Sequence, residues 1–201
     1  MGHAVDVKAL LTVVVLALAA SACGDTAGGA APDISDEPDG SAPTTTTLPD
    51  VEELPDLGPA PNLVGLDGWL QADIDSIDDL RGKVVVVWFW TFGCYNCKNT
   101  LPNLEALYAA HAGDEFEIVG VHSPEFAYEE DPAAISDAAE SLGVTWPIAL
   151  DTRRKSFFAW QGSPAYWPRT FVLDRDGVIR FDHIGEGAYD ELNQTVAALL
   201  G

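Results

Sequence analysis

The chain has 201 residues, of which 32 are acidic and 10 are basic, so its formal net charge at pH 7 is −22. This length fits one domain with a single hydrophobic core and some further segments outside it. An acidic excess of this size repels the phosphate backbone, so nucleic acid is not an expected partner.

Residues 1–22 are typical of a secretory signal peptide. A segment with one lysine precedes the apolar run at residues 9–20, which is too short for a transmembrane helix of about 20 residues. Cys23 follows Ser21 and Ala22, which resembles the lipobox of bacterial lipoproteins and implies cleavage before Cys23 and acylation of its thiol. We therefore expect an extracytoplasmic lipoprotein anchored to the cell membrane. Simple secretion and an uncleaved anchor are the alternatives, because Ala20 stands where leucine is commoner.

Residues 23–61 are expected to form an acidic tether between the lipidated cysteine and a folded domain. The segment is rich in Gly, Ala, Pro and Thr, contains the threonine run at residues 44–47 and shows no apolar periodicity. Such a composition buries too little apolar surface to fold. Its acids have no basic partners within the segment, so their mutual repulsion extends it.

From residue 62 to residue 201 the pattern predicts alternating strands and helices. Residues 84–90 are a continuous β-branched and aromatic run, which predicts a strand buried on both faces of a sheet. The order of elements predicts an α/β fold with a mixed sheet and helices on both faces. After the first strand we expect a helix ending near residue 111, a strand over 116–121, a helix over 133–142, a strand over 147–150, a helix over 153–160, strands over 170–173 and 178–183, and a helix over 189–200.

Cys94 and Cys97 lie directly after the first predicted strand and directly before a predicted helix. The N–H groups and the dipole at a helix N-terminus favour a thiolate, so Cys94 is the expected nucleophile. Cys97, one turn into the helix, can reach back and close a disulfide, which makes it the expected resolving thiol. Half of a metal site and a purely structural disulfide are the alternatives. No second ligand pair is visible, so we expect neither a metal nor a cofactor.

Two prolines accompany the cysteine pair. Pro102 lies inside the predicted helix, where it costs about 3 kcal/mol unless a kink is built in. Pro168 opens a predicted strand, and a cis bond before it would leave a backbone edge free for a substrate segment. Trp167, next to it, is the one tryptophan that we expect to contact substrate. Both prolines, with the cysteines, are thioredoxin-like features.

Five short motifs follow in consistent order within a region that runs from about Pro61 almost to Gly201: residues 90–97, 100–102, 120–126, 166–168 and 185–189. Together they resemble the TlpA-type thioredoxin-like family, and within it the periplasmic thioredoxin-like domain of the DipZ proteins. The resemblance implies a thioredoxin-like fold and extracytoplasmic thiol–disulfide exchange between Cys94, Cys97 and protein thiols or disulfides. It also implies that Pro168 is the cis-proline beside the disulfide.

Two acids of related proteins are absent from this sequence. The buried aspartate of thioredoxin corresponds to Trp88, and the helix glutamate of some related reductases corresponds to Thr100. Proton transfer during attack by Cys97 must then use another group or solvent, and Glu125 and His122 are the nearest candidates by motif. The DipZ proteins also carry a membrane electron-transfer domain outside the resemblance, so we expect a separate membrane electron donor of the CcdA or DsbD type.

The expected activity is reduction of protein disulfides, as the resemblance implies, either in cytochrome c maturation or in general thiol housekeeping. A thiol peroxidase of the peroxiredoxin type is one alternative. It requires a peroxidatic cysteine within a loop bearing proline and threonine, whereas Cys94 belongs to a closely spaced pair. A second alternative is a non-catalytic lipoprotein that binds peptides in the groove beside Trp167.

Overall fold

The computed structural model of the chain describes residues 48–72 and 74–201. The predicted signal peptide, the predicted lipidation site Cys23 and most of the predicted tether lie outside the described residues. No helix within the two described ranges is both long enough and apolar enough to cross a membrane.

Strands and helices alternate in the predicted order, with one further strand before them. Short 3-10 helices at Val51–Glu53, Ile77–Leu80 and Ala127–Glu129 connect them. The strands and helices are β1 (Trp69–Leu70), β2 (Val84–Trp90), α1 (Tyr95–His111), β3 (Phe116–His122), α2 (Pro132–Ser141), β4 (Ile148–Leu150), α3 (Lys155–Gln161), β5 (Arg169–Leu173), β6 (Ile179–Ile184) and α4 (Tyr189–Leu200).

The strands form one six-stranded mixed sheet in the order β1-β4-β3-β2-β5-β6. Strands β2, β3 and β4 are parallel to one another, while β1, β5 and β6 pair antiparallel with their neighbours. The predicted mixed sheet is therefore confirmed. The additional strand β1 has only two residues, which is too few for a sequence pattern to indicate a strand.

Strand β2 lies in the middle of the sheet, and all seven of its side chains are buried. Alternate side chains of a strand point to opposite faces, so β2 contributes to both hydrophobic cores. Val84, Val86, Trp88 and Trp90 pack with residues of α1, α2 and α4, while Val85, Val87 and Phe89 pack with residues of α3. Each fully buried large side chain of this kind contributes roughly 1.5–3 kcal/mol.

The end of the predicted tether belongs to the packed part of the chain. The N–H groups of Leu57 and Ala60 donate to the carbonyl oxygens of Ile179 and Gly177 at 3.0 and 2.9 Å. Pro59 forms a bridge with Val178 beside them. The packed chain thus begins before residue 62, where the sequence pattern placed the start of the domain.

Asp151, just after β4, connects three parts of the chain. Its buried carboxylate accepts hydrogen bonds from the Ser123 hydroxyl at 2.9 Å and from the N–H groups of Ser156 and Phe157 at 3.1 and 2.8 Å. The two N–H groups belong to the first turn of α3, where no intrahelical acceptor exists. Burial raises the pKa of the Asp151 carboxyl, although the bonds to α3 and Ser123 oppose that rise. This carboxylate fixes both α3 and the start of the segment after β3.

We expect Asp151→Ala to lower the free energy of unfolding by about 2–4 kcal/mol, because it leaves three buried donors without an acceptor. Urea unfolding followed by tryptophan fluorescence measures this loss. Asp137→Ala, at an exposed position of α2, is the matched control and should change stability by less than about 0.5 kcal/mol. Equal losses in the two variants would contradict the role given to Asp151.

Candidate active site

The candidate site lies where the parallel strands β2 and β3 end. Trp90, the last residue of β2, is in register with His122, the last residue of β3. The Ser123 N–H continues this pairing by donating to the Trp90 carbonyl oxygen at 2.9 Å. Carboxyl ends of neighbouring parallel strands meet at one edge of a sheet, so the segment leading to Cys94 and the segment after His122 leave the sheet side by side.

Cys94 is the N-cap of α1, and Cys97 lies in the first turn of that helix. The two residues are joined by a disulfide, and their Cα atoms are 5.2 Å apart. The Cys97 N–H donates to Cys94 Sγ at 3.2 Å. Cys94 is half-buried, whereas only 1% of Cys97 is exposed. Cys94 therefore offers the accessible sulfur of the pair, and Cys97 is covered by the core.

A groove beside Cys94 brings together three residues that the sequence singled out. These are Cys94, Glu125 and Trp167, and Tyr95 lines the groove with them. The remaining lining residues are Gly93, Asn96, Ala165 and Tyr166. The groove therefore combines the accessible sulfur, one exposed carboxylate and an aromatic wall.

Trp167 is held in place from two sides. Its indole N–H donates to the Ser123 carbonyl oxygen at 2.8 Å, and its ring stacks on Phe157 with a centroid distance of 4.2 Å.

The peptide bond between Trp167 and Pro168 is cis, and Pro168 is buried. The Pro168 carbonyl oxygen accepts a hydrogen bond from the Gly185 N–H at 2.8 Å. Pro168 is thus held by the backbone of the glycine-containing motif at residues 185–189 and does not itself line the groove.

His122 is not brought to the groove. The side chain is fully buried, its ring stacks on Phe92 at 5.6 Å and meets the edge of Trp90 at 5.1 Å. Its Nε2 accepts from the Phe92 N–H at 3.4 Å and lies 3.3 Å from the Thr91 hydroxyl. Burial lowers the pKa of His122 to about 4, although the nearby Glu129 carboxylate opposes this shift. The imidazole is therefore neutral at pH 7, and it supports the turn before Cys94 from within the core.

The positions that hold acids in related proteins are buried and carry no carboxylate. Trp88 stacks on Trp90 at a centroid distance of 4.8 Å with the rings 10° from parallel. Thr100 lies in α1, where its hydroxyl donates to the Asn96 carbonyl oxygen at 3.0 Å. Of the two proton-transfer candidates predicted from the sequence, only Glu125 lies beside Cys94.

Glu129 is a residue of this site that the sequence pattern did not indicate. Its side chain is fully buried, and one carboxylate oxygen accepts from the N–H of Gly93, the residue before Cys94, at 2.9 Å. The other oxygen accepts from the N–H groups of Glu125 and Phe126 at 2.7 and 2.9 Å. Glu129 is one of 32 acids in a strongly acidic chain, so composition alone could not distinguish it.

Exposed aromatic rings lie in the segments that border the site. Tyr95 and Tyr166 line the groove and are 74% and 45% exposed. Phe126 and Tyr128, from the segment after β3, are 52% and 60% exposed and stack on each other at 5.8 Å. Four exposed aromatic rings near one groove offer an apolar contact surface to another molecule. Across residues 48–72 and 74–201, no cluster of three or more His, Cys, Asp or Glu side chains could hold a metal ion.

The chain matches a known family over all the residues that line the groove. A family model described as the AhpC/TSA family matches residues 59–182. Protein DipZ of Mycobacterium tuberculosis is 36% identical over 151 residues, which cover 74% of this chain and 21% of DipZ. This chain therefore spans about a fifth of the length of that relative.

Two smaller proteins match over nearly their full length. Thiol-disulfide oxidoreductase YkuV of Bacillus subtilis is 26% identical over 142 residues, which cover 71% of this chain and 94% of YkuV. The solution structure of a thioredoxin-like protein in the oxidized form superimposes with a TM-score of 0.62 and 27% identity, covering 71% of this chain and 94% of that one. The predicted thioredoxin-like fold is therefore confirmed.

We expect the buried, neutral His122 to make stability depend on pH. Its pKa is about 4 in the folded chain and about 6.5 in the unfolded chain, so unfolding takes up a proton between these values. The stabilising contribution is complete above pH 6.5 and is lost as the pH falls. We expect His122 to lower the free energy of unfolding by about 2–3 kcal/mol between pH 7 and pH 4.5. Urea unfolding at the two pH values measures this difference. His122→Gln removes the titrating ring, so an equal acid loss in this variant would contradict the assignment.

Proposed function

Because the chain belongs to the AhpC/TSA family, whose thioredoxin-like fold it shares, we propose that it is a thiol–disulfide oxidoreductase that uses Cys94 and Cys97. The observation that carries this proposal is the disulfide at the N-terminus of α1, with one accessible and one covered sulfur beside a groove. The similarity to a named thiol-disulfide oxidoreductase over 94% of that protein supports the same activity.

In the proposed reaction the thiolate of reduced Cys94 attacks a protein disulfide. The S–S bond of the substrate breaks, one substrate sulfur leaves as a thiolate, and the other is joined to Cys94 as a mixed disulfide. Cys97 then attacks Cys94 Sγ, which releases the second substrate thiol and leaves the Cys94–Cys97 disulfide. Two electrons pass to the substrate, and a membrane donor restores the dithiol.

The groove supports roles for three further residues. We propose that Trp167 and the backbone at the buried cis Pro168 contact the substrate segment, because Trp167 lines the same groove as Cys94 and Pro168 follows it directly. Cys97 must lose a proton when it attacks Cys94, and Glu125 is the carboxylate that lines the groove together with Cys94. Glu125 is therefore the proposed proton acceptor, acting directly or through water, and the buried His122 is not.

We propose the reducing direction for the reaction. The resemblance to TlpA-type reductases supports this direction, with cytochrome c maturation or general thiol housekeeping as the process and a CcdA- or DsbD-like membrane protein as the electron donor. A reductase of this kind should have a reduction potential near that of thioredoxin, roughly −270 mV, whereas an oxidant such as DsbA lies near roughly −120 mV.

We also propose that the domain acts outside the cytoplasm, held at the membrane by a lipid on Cys23. The apolar run at residues 9–20 and the small residues before Cys23 support this localisation. The acidic segment after Cys23 would then let the domain reach substrates at a distance from the membrane surface.

We expect Cys94→Ser to reduce catalysed reduction of insulin by dithiothreitol to the uncatalysed rate, because the attacking sulfur is gone. Cys97→Ser should trap mixed disulfides, because the resolving thiol is missing. Mass spectrometry of the protein incubated with an oxidised peptide detects the trapped species. Trapping by neither variant would count against the assigned roles.

The same preparations distinguish the two alternative functions. A thiol peroxidase would consume hydrogen peroxide at a rate that depends on Cys94, with insulin reduction at background. A binding lipoprotein would retain the peptide in both cysteine variants and would show no dithiol-dependent turnover in the wild type. Either result would overturn the proposed oxidoreductase activity.

We expect Cys23→Ser to move the full chain from the membrane fraction to the soluble fraction of a bacterial host and to abolish labelling by palmitate. The thiol of Cys23 is the proposed site of acylation, so serine removes the anchor. Cys94→Ser is the matched control, because it removes a different thiol and should leave both properties unchanged. Absence of palmitate from the wild type would overturn the proposed anchor.

A further inference from the structure

Glu129 differs from the other acids of this chain in its surroundings. Among the described residues, only Glu129 and Asp151 are buried carboxylates. Asp151 stabilises α3, as described above, whereas Glu129 bonds to the turn that presents Cys94. The proton-transfer and substrate-binding roles proposed above do not use it.

The carboxylate of Glu129 joins two segments that border the groove beside Cys94. Both of its oxygens accept from backbone N–H groups, one from Gly93 and the other from Glu125 and Phe126. An ionised carboxylate is an acceptor only, so three N–H donors match that form. Breaking these bonds would leave buried donors without partners.

Gly93 itself is adapted to this contact. A Cβ atom at residue 93 would overlap the Glu129 carboxylate and the Tyr128 hydroxyl. Only a residue without a side chain lets the carboxylate approach the backbone beside Cys94. The missing side chain at Gly93 and the buried position of Glu129 together allow the carboxylate to approach the cysteine turn.

We propose that Glu129 is a positioning residue that lowers the reduction potential of the Cys94–Cys97 pair, which rests on the proposed oxidoreductase function. Its charge lies in the turn next to Cys94 and disfavours the Cys94 thiolate. This repulsion weakens the dithiol form relative to the disulfide.

The direction of this effect follows from the electrostatics of the turn. The N-terminus of α1 and the Cys97 N–H favour a negative charge on Cys94 Sγ. A like charge nearby disfavours it, and a buried charge is screened by salt much less than an exposed one. Stabilising the reduced form raises the potential of a dithiol pair, so destabilising it lowers the potential. Glu129 thereby makes the reduced protein a stronger reductant.

The test compares Glu129→Gln with Glu130→Gln, which removes the same charge from the exposed neighbouring residue. Each protein is equilibrated with mixtures of reduced and oxidised dithiothreitol, and the fraction of reduced protein is measured by tryptophan fluorescence. Two electrons pass from dithiothreitol, which closes to its cyclic disulfide, to the Cys94–Cys97 disulfide, which opens to two thiols. We expect E129Q to raise the equilibrium constant for reduction about 3- to 10-fold, where tenfold equals about 30 mV. E130Q should change it less than about twofold.

The outcomes separate this inference from the proposed function. A wild type without a reversible two-electron transition would overturn the oxidoreductase proposal itself. A normal wild-type transition with E129Q within twofold of it, or with an equal shift in E130Q, would overturn only the role of Glu129. If E129Q does not fold, Glu129→Asp provides the second measurement. Aspartate keeps the charge, but its shorter side chain moves the charge away from Gly93. E129D should therefore raise the equilibrium constant for reduction by less than the change expected for E129Q. An unchanged equilibrium constant would overturn the role of Glu129.

Discussion

The parallel pairing of β2 with β3 is the constraint on which the site depends. Because Trp90 is in register with His122, the turn before Cys94 and the segment after His122 leave the sheet at the same edge. This pairing lies in the middle of the sheet and is buried on both faces, so its register is strongly specified. A shift of one residue would move the large aromatic side chains of β2 into the opposite core, which is shaped for other residues, and would separate the groups that surround the disulfide.

Two polar side chains lie buried near the turn before Cys94, and they make different hydrogen bonds. His122 stays neutral, because burial lowers its pKa to about 4, and it supports the turn at Phe92. Glu129 has three backbone donors and links Gly93 to the opposite segment. Exposed aromatic rings lie in the segments that border the site. The turn at Cys94 thus combines buried, hydrogen-bonded polar groups with exposed aromatic rings in the neighbouring segments.

The sequence predicted most of the fold, since its strongest patterns are local. The continuous β-branched and aromatic run at residues 84–90 indicates a strand buried on both faces, and α4 has the bounds that its pattern indicates. Two features of the fold were not indicated by any sequence pattern, and the reason is the same for both. β1 is too short to carry a pattern, and the start of the packed chain near Leu57 depends on backbone bonds to the hairpin of β5 and β6. Backbone pairing of this kind leaves little trace in composition.

For the site, the sequence by itself determined the dithiol: two cysteines three residues apart, after a strand and at the start of a helix, are one turn apart wherever the chain folds this way. Only the tertiary structure decided which other groups reach them. By motif, His122 and Glu125 were equal candidates, yet β3 buries the first and the following loop exposes the second. Glu129 became a neighbour of Cys94 only through strand pairing, because contacts across a sheet follow from register and burial and not from local sequence.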